Sequence, residues 1–201
     1  MNYAELKQKA KDSLRGKYSE AVIMMLIPMA VGILLALLEL PKNPALSIIS
    51  SVLTLLFEVA TGFGALSFYL KISRDEEVDF KELFKKVDMG LLYFCITLLV
   101  GLFAGLWALL FIIPGIIAVL SYSQAFLIAL DNPEITPLEA VRQSKELMRG
   151  YKLDYLLLNL SFIGWVILGA FTLGILYFWL IPYMSVTQMN FYNALLEEKN
   201  K

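Results

Sequence analysis

The sequence predicts an all-α polytopic membrane protein with six transmembrane helices in three hairpins, each hairpin preceded by a cytoplasmic amphipathic helix. Two observations predict this class. The chain of 201 residues is 59% hydrophobic and only 17% charged, and its mean hydropathy is +0.69, values typical of membrane proteins. Its Lys and Arg residues also fall in alternate links between the apolar segments, as expected when the basic links stay in the cytoplasm.

The charge asymmetry predicts the orientation. Sixteen of the seventeen Lys and Arg residues lie before the first span, between the second and third, between the fourth and fifth, or after the sixth. The remaining one is Lys42, in the link that follows the first span. Because moving such charges across a bilayer is costly, we expect both termini and these basic links to be cytoplasmic.

The apolar segments define the six predicted spans. They cover residues 21–40, 45–72, 89–113, 116–130, 153–173 and 175–196. Pro114-Gly115 is predicted to form a very tight outer turn between the third and fourth spans. Either Gly174 or Pro182 marks the last outer turn.

Three basic segments, residues 11–16, 81–86 and 145–150, resemble one another and each precedes a span. Their apolar residues recur at helical spacing, which predicts amphipathic helices on the inner leaflet. Thr136 followed by Pro137 and Glu139 is a helix-start signal for the third. The chain is therefore one membrane domain, 1–201, composed either of repeats 1–72, 73–131 and 132–201 or of short basic helices with convergent composition.

Basic side chains in the first and third segments are predicted to contact anionic lipid headgroups, since each contributes about 1 kcal/mol near a charged surface. The set comprises Lys11, Arg15, Lys17, Arg142, Lys145, Arg149 and Lys152. Acidic residues balance the second segment. The expected partners are the lipid bilayer, anionic lipids, and a protein partner or a second copy of the chain; the net charge of −1 gives no indication of nucleic-acid binding.

Glu58 stands in the middle of the second span, where an ionised carboxylate is costly. Ser51, Thr54 and Thr61 share its helical face, which predicts that this stripe faces the bundle or a water-filled cavity. Two interpretations remain open. Glu58 is either a protonatable or cation-binding residue in a transport path, or a protonated acid that hydrogen-bonds a neighbouring helix.

Further polar residues occur in the fourth, fifth and sixth spans: Gln124, Tyr122, Asn159, Gln188 and Asn190. They either converge with Glu58 on a small-molecule site or form hydrogen bonds between helices, the commoner role of such residues.

Catalytic and metal chemistry find little support in the composition. The chain has no His, which removes imidazole catalysis and the commonest metal ligand, and Cys95 is its only cysteine. No nucleophile–base pair is visible. We therefore expect a protein that is not an enzyme, with no catalytic residue, cofactor or metal site.

An ordered series of short motifs resembles a known family. The series includes residues 112–116 (IIPGI), 120–126 (LSYSQAF), 131–133 (DNP), 144–150 (SKELMRG), 160–165 (LSFIGW) and 172–183. Together they resemble the bacterial integral membrane family called domain of unknown function 975. The resemblance implies a multi-span protein of the bacterial cytoplasmic membrane and no established activity. A looser similarity to the membrane-anchoring domain of some glycerophosphodiester phosphodiesterases implies a lipid-proximal role.

Two functions follow as expectations. The first is a non-enzymatic accessory or lipid-interacting membrane component. The alternative is a small transporter or channel subunit that uses Glu58 as its buried protonatable or cation-binding residue.

Overall fold

The protein is all-helical throughout the part of the chain that its computed structural model describes, residues 2–37 and 43–199. Lys42, Lys201 and the end of the first predicted span lie outside the described residues. The helices are α1 Tyr3–Leu14, α2 Tyr18–Leu37, α3 Pro44–Ser73, α4 Glu82–Lys85, α5 Gly90–Leu110, α6 Ile112–Tyr122, α7 Ala125–Asp131, α8 Pro137–Leu147, α9 Lys152–Leu160, α10 Ile163–Phe171 and α11 Tyr177–Lys199. A 3₁₀ turn, Val87–Met89, precedes α5.

Five helical segments are long and apolar enough to cross a membrane. They are Tyr18–Leu37, Pro44–Ser73, Val87–Leu109, Ile112–Asp131 and Lys152–Phe171. This pattern supports a multi-pass membrane protein and bears out the all-helical class. The predicted six spans in three hairpins are not established, because α11 is long enough but too polar to qualify by composition. Its polar side chains are tolerated because much of α11, including Val186, Thr187 and Phe191, is buried against other helices.

Helix starts follow recognisable capping chemistry. The side chain of Asn2 accepts hydrogen bonds from the first backbone N–H groups of α1, and that of Asn43 does the same for α3, where Pro44 takes the first position. At the start of α8 the Thr136 hydroxyl accepts from the Glu139 N–H at 3.4 Å, so the predicted cap is confirmed.

The predicted turn at Pro114-Gly115 is wrong. The chain reverses at Phe111, whose backbone is extended, before it reaches Pro114. Pro114 lies within the first helical turn of α6. Proline is tolerated there because the first helical N–H groups need no partner within the helix. Gly115 is needed for close packing, since an added Cβ would lie 2.8 Å from the Ala108 Cα. The last turn is at Gly174, with φ +87°, and Pro182 lies inside α11.

The fourth and fifth predicted spans are each interrupted. The fourth consists of α6 and α7, separated at Ser123-Gln124, and the fifth of α9 and α10, separated at Ser161-Phe162. Backbone groups freed at such breaks need new partners in an apolar surrounding.

At each interruption, a side chain from a separate polar helix makes hydrogen bonds to the backbone. Ser144 of α8, which is fully buried, donates to the Ser121 carbonyl at 2.8 Å and accepts from the Gln124 N–H at 3.1 Å. Lys7 of α1 donates to the Ser161 carbonyl at 3.3 Å. Helices α8 and α1 are therefore fastened to the two broken segments.

The predicted amphipathic helices are packed differently from the expectation. The apolar face of α1 is buried where it contacts α11 and α3, and that of α8 where it contacts α5 and α7. The second amphipathic helix is reduced to the single turn α4. Because the same apolar faces suit protein or lipid, periodicity alone does not distinguish the two environments.

Two ionic clusters join the helices. Glu82 of α4, only 2% exposed, accepts from Ser67 and Lys71 of α3 and from Lys85 at 3.0–3.1 Å. Burial favours its neutral form, but the hydrogen bonds from Lys85, Lys71 and Ser67 outweigh burial and lower the pKa of Glu82.

The second cluster lies where α3, α7 and α11 meet. Arg74 makes two parallel hydrogen bonds to the Asp131 carboxylate, at 2.9 and 2.8 Å. The Tyr192 hydroxyl donates to the same carboxylate at 2.9 Å, and Arg74 also donates to Asn193 at 3.2 Å. One carboxylate therefore connects the ends of three helices.

Candidate functional site

Glu58 lies on the wall of an open groove of about 520 Å³ between α2, α3, α5 and α7. The other lining residues are mostly apolar, with Thr54 and Thr61 as hydroxyl-bearing neighbours. Glu58 is exposed, and no hydrogen bond or ion pair to it is observed among the described residues. The Glu58 carboxylate does interact electrostatically with Tyr93 of α5, which lines the same groove, so the interpretation in which Glu58 hydrogen-bonds a neighbouring helix has a neighbour in reach but no observed hydrogen bond.

The hydroxyl groups of the Glu58 stripe mostly satisfy their own helix. Ser51 donates to the Ser47 carbonyl at 2.9 Å and Thr61 to the Phe57 carbonyl at 2.7 Å. Such bonds leave the carboxylate of Glu58 and the hydroxyl of Thr54, for which no hydrogen bond is observed among the described residues, to interact with whatever occupies the groove.

The other predicted polar residues gather elsewhere. Gln188 of α11 donates to the Asn159 side chain of α9 at 2.9 Å, and Asn159 donates to the Tyr155 carbonyl at 2.7 Å. Gln124 is buried, and its side chain donates to Ser123 at 2.9 Å. Neither Gln124 nor the Asn159–Gln188 pair lines the groove of Glu58, so the structure does not bring them together with it.

Tyr122 and Asn190 occupy two further places. Tyr122 is largely buried, with its ring 6.1 Å from that of Phe103. Asn190 is 1% exposed and donates to the Leu6 carbonyl at 3.4 Å, while its side-chain oxygen has no partner in the described residues. Both residues thus join helices in the manner expected of interhelical packing.

The predicted lipid-contacting residues divide into engaged and free cations. Arg142 is paired with Glu139 and Glu146, and the Arg142 guanidinium lowers the pKa of Glu139 to about 2. Lys17 donates to the Glu76 carbonyl at 2.8 Å. Arg15 and Arg149 are exposed. Arg142 is therefore a poorer candidate for binding an external anion than its position in the sequence indicated.

Lys145 and Lys152 converge on one cleft of about 190 Å³. Its other walls come from the α5–α6 hairpin and include Trp107, Pro114, Ile117 and Tyr122. No carboxylate is among the described residues that line it. Two lysines thus line a cleft together with apolar, aromatic and hydroxyl-bearing residues, a combination that suits a molecule with an anionic head and a hydrocarbon tail.

Sequence reasoning missed two sets of residues. Lys7 was counted among the basic residues, but nothing in the sequence showed that its ammonium lies 4.1 Å from the centre of the Phe162 ring. The Asp131-Asn132-Pro133 motif is typical of a helix end, and Asp131 does end α7, but the pairing of Asp131 with Arg74 joins residues 57 positions apart. The local spacing of residues in the sequence therefore predicts neither the contact of Lys7 with Phe162 nor that of Asp131 with Arg74.

The structure offers no metal centre: within residues 2–37 and 43–199 no group of three or more His, Cys, Asp or Glu side chains could hold a metal ion.

A profile of the family described as "Protein of unknown function (DUF975)" matches residues 1–121 and 109–199. The chain belongs to this family. The two matched segments overlap at 109–121, the end of α5 and most of α6, and together they include the amphipathic helices α1 and α8. Among curated proteins and solved structures, none matches the chain. Membership of the DUF975 family confirms the resemblance seen in the sequence, and the family's description assigns no activity.

Proposed function

We propose that this protein is a non-enzymatic component of the bacterial cytoplasmic membrane that binds anionic phospholipid, with both termini facing the cytoplasm. Lys145 and Lys152, in a link predicted to be cytoplasmic, line one cleft with Pro114, predicted at the outer end of the third and fourth spans, so these two segments are not separated by the thickness of a membrane. The observation that carries the proposal is the convergence of Lys145 and Lys152 on the cleft beside Trp107, Pro114 and Ile117.

The geometry favours a lipid over a soluble anion. Phosphate oxygens accept hydrogen bonds from ammonium groups. An acyl chain that packs against the apolar wall is stabilised by roughly 25 cal/mol for each Å² of apolar surface removed from water. Helix α8 holds Lys145 in place because Ser144, the residue before it, is bonded to the break between α6 and α7. The lipid phosphate would therefore contact a helix that is itself fastened to a transmembrane segment.

Trp107 allows a direct test of this site. In a variant that retains Trp107 but carries Trp165→Phe and Trp179→Phe, brominated phosphatidylglycerol should quench fluorescence more strongly than brominated phosphatidylcholine at equal content. Lys145→Gln with Lys152→Gln should reduce the ratio of the two lipid affinities by roughly thirtyfold, because each lysine contributes about 1 kcal/mol.

Lys81→Gln with Lys86→Gln is the matched control, since it removes the same charge from a segment rich in acidic residues. This control should leave the ratio unchanged. Equal quenching by the two lipids in the protein with both Lys145 and Lys152 intact would refute the proposal.

A second candidate function, a transporter or channel subunit, is favoured by one observation: Glu58 is exposed on the wall of a groove and makes no observed hydrogen bond among the described residues. On that hypothesis Glu58→Gln abolishes proton- or cation-coupled uptake into vesicles and leaves the melting temperature unchanged, because the carboxylate makes no observed hydrogen bond. Under the lipid proposal Glu58→Gln leaves phosphatidylglycerol binding intact. Coupled uptake by the unmodified protein, lost in the folded Glu58→Gln variant, would establish the transport function.

A further inference from the structure

Two lysines of α1 lie against a pair of aromatic rings. The Lys7 ammonium is 4.1 Å from the centre of the Phe162 ring, and the Lys11 ammonium is 5.6 Å from the centre of the Tyr183 ring. The two rings contact each other edge to face, with centres 5.3 Å apart. Since residues four apart lie on one face of a helix, the two ammonium groups are neighbours over a shared aromatic surface.

No carboxylate neutralises these two cations in the described chain. The one hydrogen bond observed from Lys7 goes to the uncharged Ser161 carbonyl, and none is observed from Lys11. Burial, together with the charge of Lys11, lowers the pKa of Lys7, as expected for like charges held close together.

The acidic residues of the surrounding helices are directed elsewhere. Asp12 accepts from Gln8, Asp154 accepts from Tyr3, Glu20 lines a cleft with Phe68, and Glu5, Glu197 and Glu198 line a cleft beside Asn190. Glu5 and Asp12 also border a common cleft on another face of α1 from Lys7 and Lys11. The two ammonium groups therefore require an anion from outside the described chain.

Hydrocarbon-binding surface adjoins the two lysines. Phe162 is followed directly by α10, where Ile163 and Ile167 are each 54% exposed. Ser161, which receives the Lys7 hydrogen bond, lies at the break between α9, which carries Lys152 and Asp154, and the wholly apolar α10. An unpaired ammonium at that position is costly unless an anion accompanies it.

We infer that Lys7 and Lys11, with the Phe162–Tyr183 ring pair, form a second binding site for the phosphate group of an anionic phospholipid, whose acyl chains lie along α10. The inference rests on the proposed membrane placement but uses none of the residues of the Lys145–Lys152 cleft. Because Lys7 also bonds the break between α9 and α10, a phosphate at this site stabilises the contact of α1 with the fifth span.

Native mass spectrometry of the purified full-length protein tests the site. Titration with phosphatidylglycerol should show two bound anionic lipids, and Lys7→Gln with Lys11→Gln should weaken one of them by about thirtyfold. Lys9→Gln with Lys81→Gln removes equal charge and should leave both intact. Lys7→Arg with Lys11→Arg should retain binding, because the guanidinium also binds phosphate.

Three outcomes separate this inference from its alternatives. Unchanged lipid stoichiometry and affinity in the Lys7→Gln, Lys11→Gln variant would overturn it, whatever the Lys145–Lys152 variant shows. Displacement of the lipid by millimolar inorganic phosphate would overturn the lipid assignment in favour of a free-anion site. If the double variant does not fold, Lys11→Gln alone, which keeps the Ser161 hydrogen bond, must weaken the same lipid, and full retention would contradict the inference.

Discussion

Replacing Gly64 by alanine is expected to destabilise the protein by about 3 kcal/mol, the upper part of the range for overpacked sites. A Cβ at this position would lie 2.0 Å from the Leu83 carbonyl oxygen and within 2.6 Å of two more backbone atoms of that residue. Backbone cannot rotate aside as a side chain can, so α3 and α4 must separate. A thermal melt in detergent should show a decrease of roughly 6–12 °C for a chain of this size.

Gly101→Ala provides the matched control, because no heavy atom beyond its own helix lies within 4 Å of the added Cβ. Alanine favours the helical state over glycine by up to about 1 kcal/mol, so this variant should be as stable as the unmodified protein or more so. A Gly64→Ala protein that melts at the same temperature as Gly101→Ala would contradict the close approach of α3 and α4.

Asp131→Ala is expected to cost about 2–3 kcal/mol, since charge-assisted hydrogen bonds contribute more than neutral ones. The change removes the acceptor of two Arg74 hydrogen bonds and leaves the hydroxyl of Tyr192, a residue only 1% exposed, without its partner. Arg74 and Asp131 are themselves about a third and a quarter exposed, so the loss should be smaller than for a fully buried pair. Chemical denaturation in detergent measures it.

A double-mutant cycle with Arg74→Met isolates the pair. The losses of unfolding free energy in Asp131→Ala and in Arg74→Met should add up to more than the loss in the double variant. The difference, which is the coupling energy of the pair, should be at least about 1 kcal/mol. Asp12→Ala, which removes an exposed carboxylate whose observed hydrogen bonds within residues 2–37 and 43–199 come from Gln8, should change stability by less than about 0.5 kcal/mol. Additive single effects would show that Asp131 does not join the three helices through Arg74.

Long apolar segments made most of the helices predictable. The second predicted span, 45–72, agrees with α3, Pro44–Ser73, within one residue at each end, because Asn43 and Pro44 mark its start and the mostly apolar segment ends at the basic Lys71 and Arg74. The breaks within the fourth and fifth spans were not predicted, since Ser and Gln occur in intact helices too. Each break is stabilised by hydrogen bonds to a distant residue, Ser144 in the fourth span and Lys7 in the fifth. The periodicity of a single sequence contains no information on such contacts.

The sequence indicates which types of residue form the candidate sites, but it does not indicate which of these residues come together in the fold. Lys145 and Lys152 were recognised as basic residues, but their meeting beside Trp107 depends on how α8 and α9 pack on the α5–α6 hairpin. The sequence contains a GxxxG pattern at Gly101 and Gly105, which is typical of close helix packing, yet a Cβ added at either position would meet no neighbour within 4 Å, whereas one at Gly64 would. A GxxxG pattern does not show which glycines are needed for close packing. That depends on whether the backbone of another segment lies against the glycine.

The most direct test of the account is a count of anionic lipids bound to the unmodified protein in mixed phosphatidylglycerol and phosphatidylcholine micelles, by native mass spectrometry. The account predicts that two phosphatidylglycerol molecules are retained in preference to phosphatidylcholine. Both should be lost when Lys7, Lys11, Lys145 and Lys152 are all replaced by glutamine. Retention of the two lipids in proportion to their abundance, with no change in the fourfold variant, would contradict it.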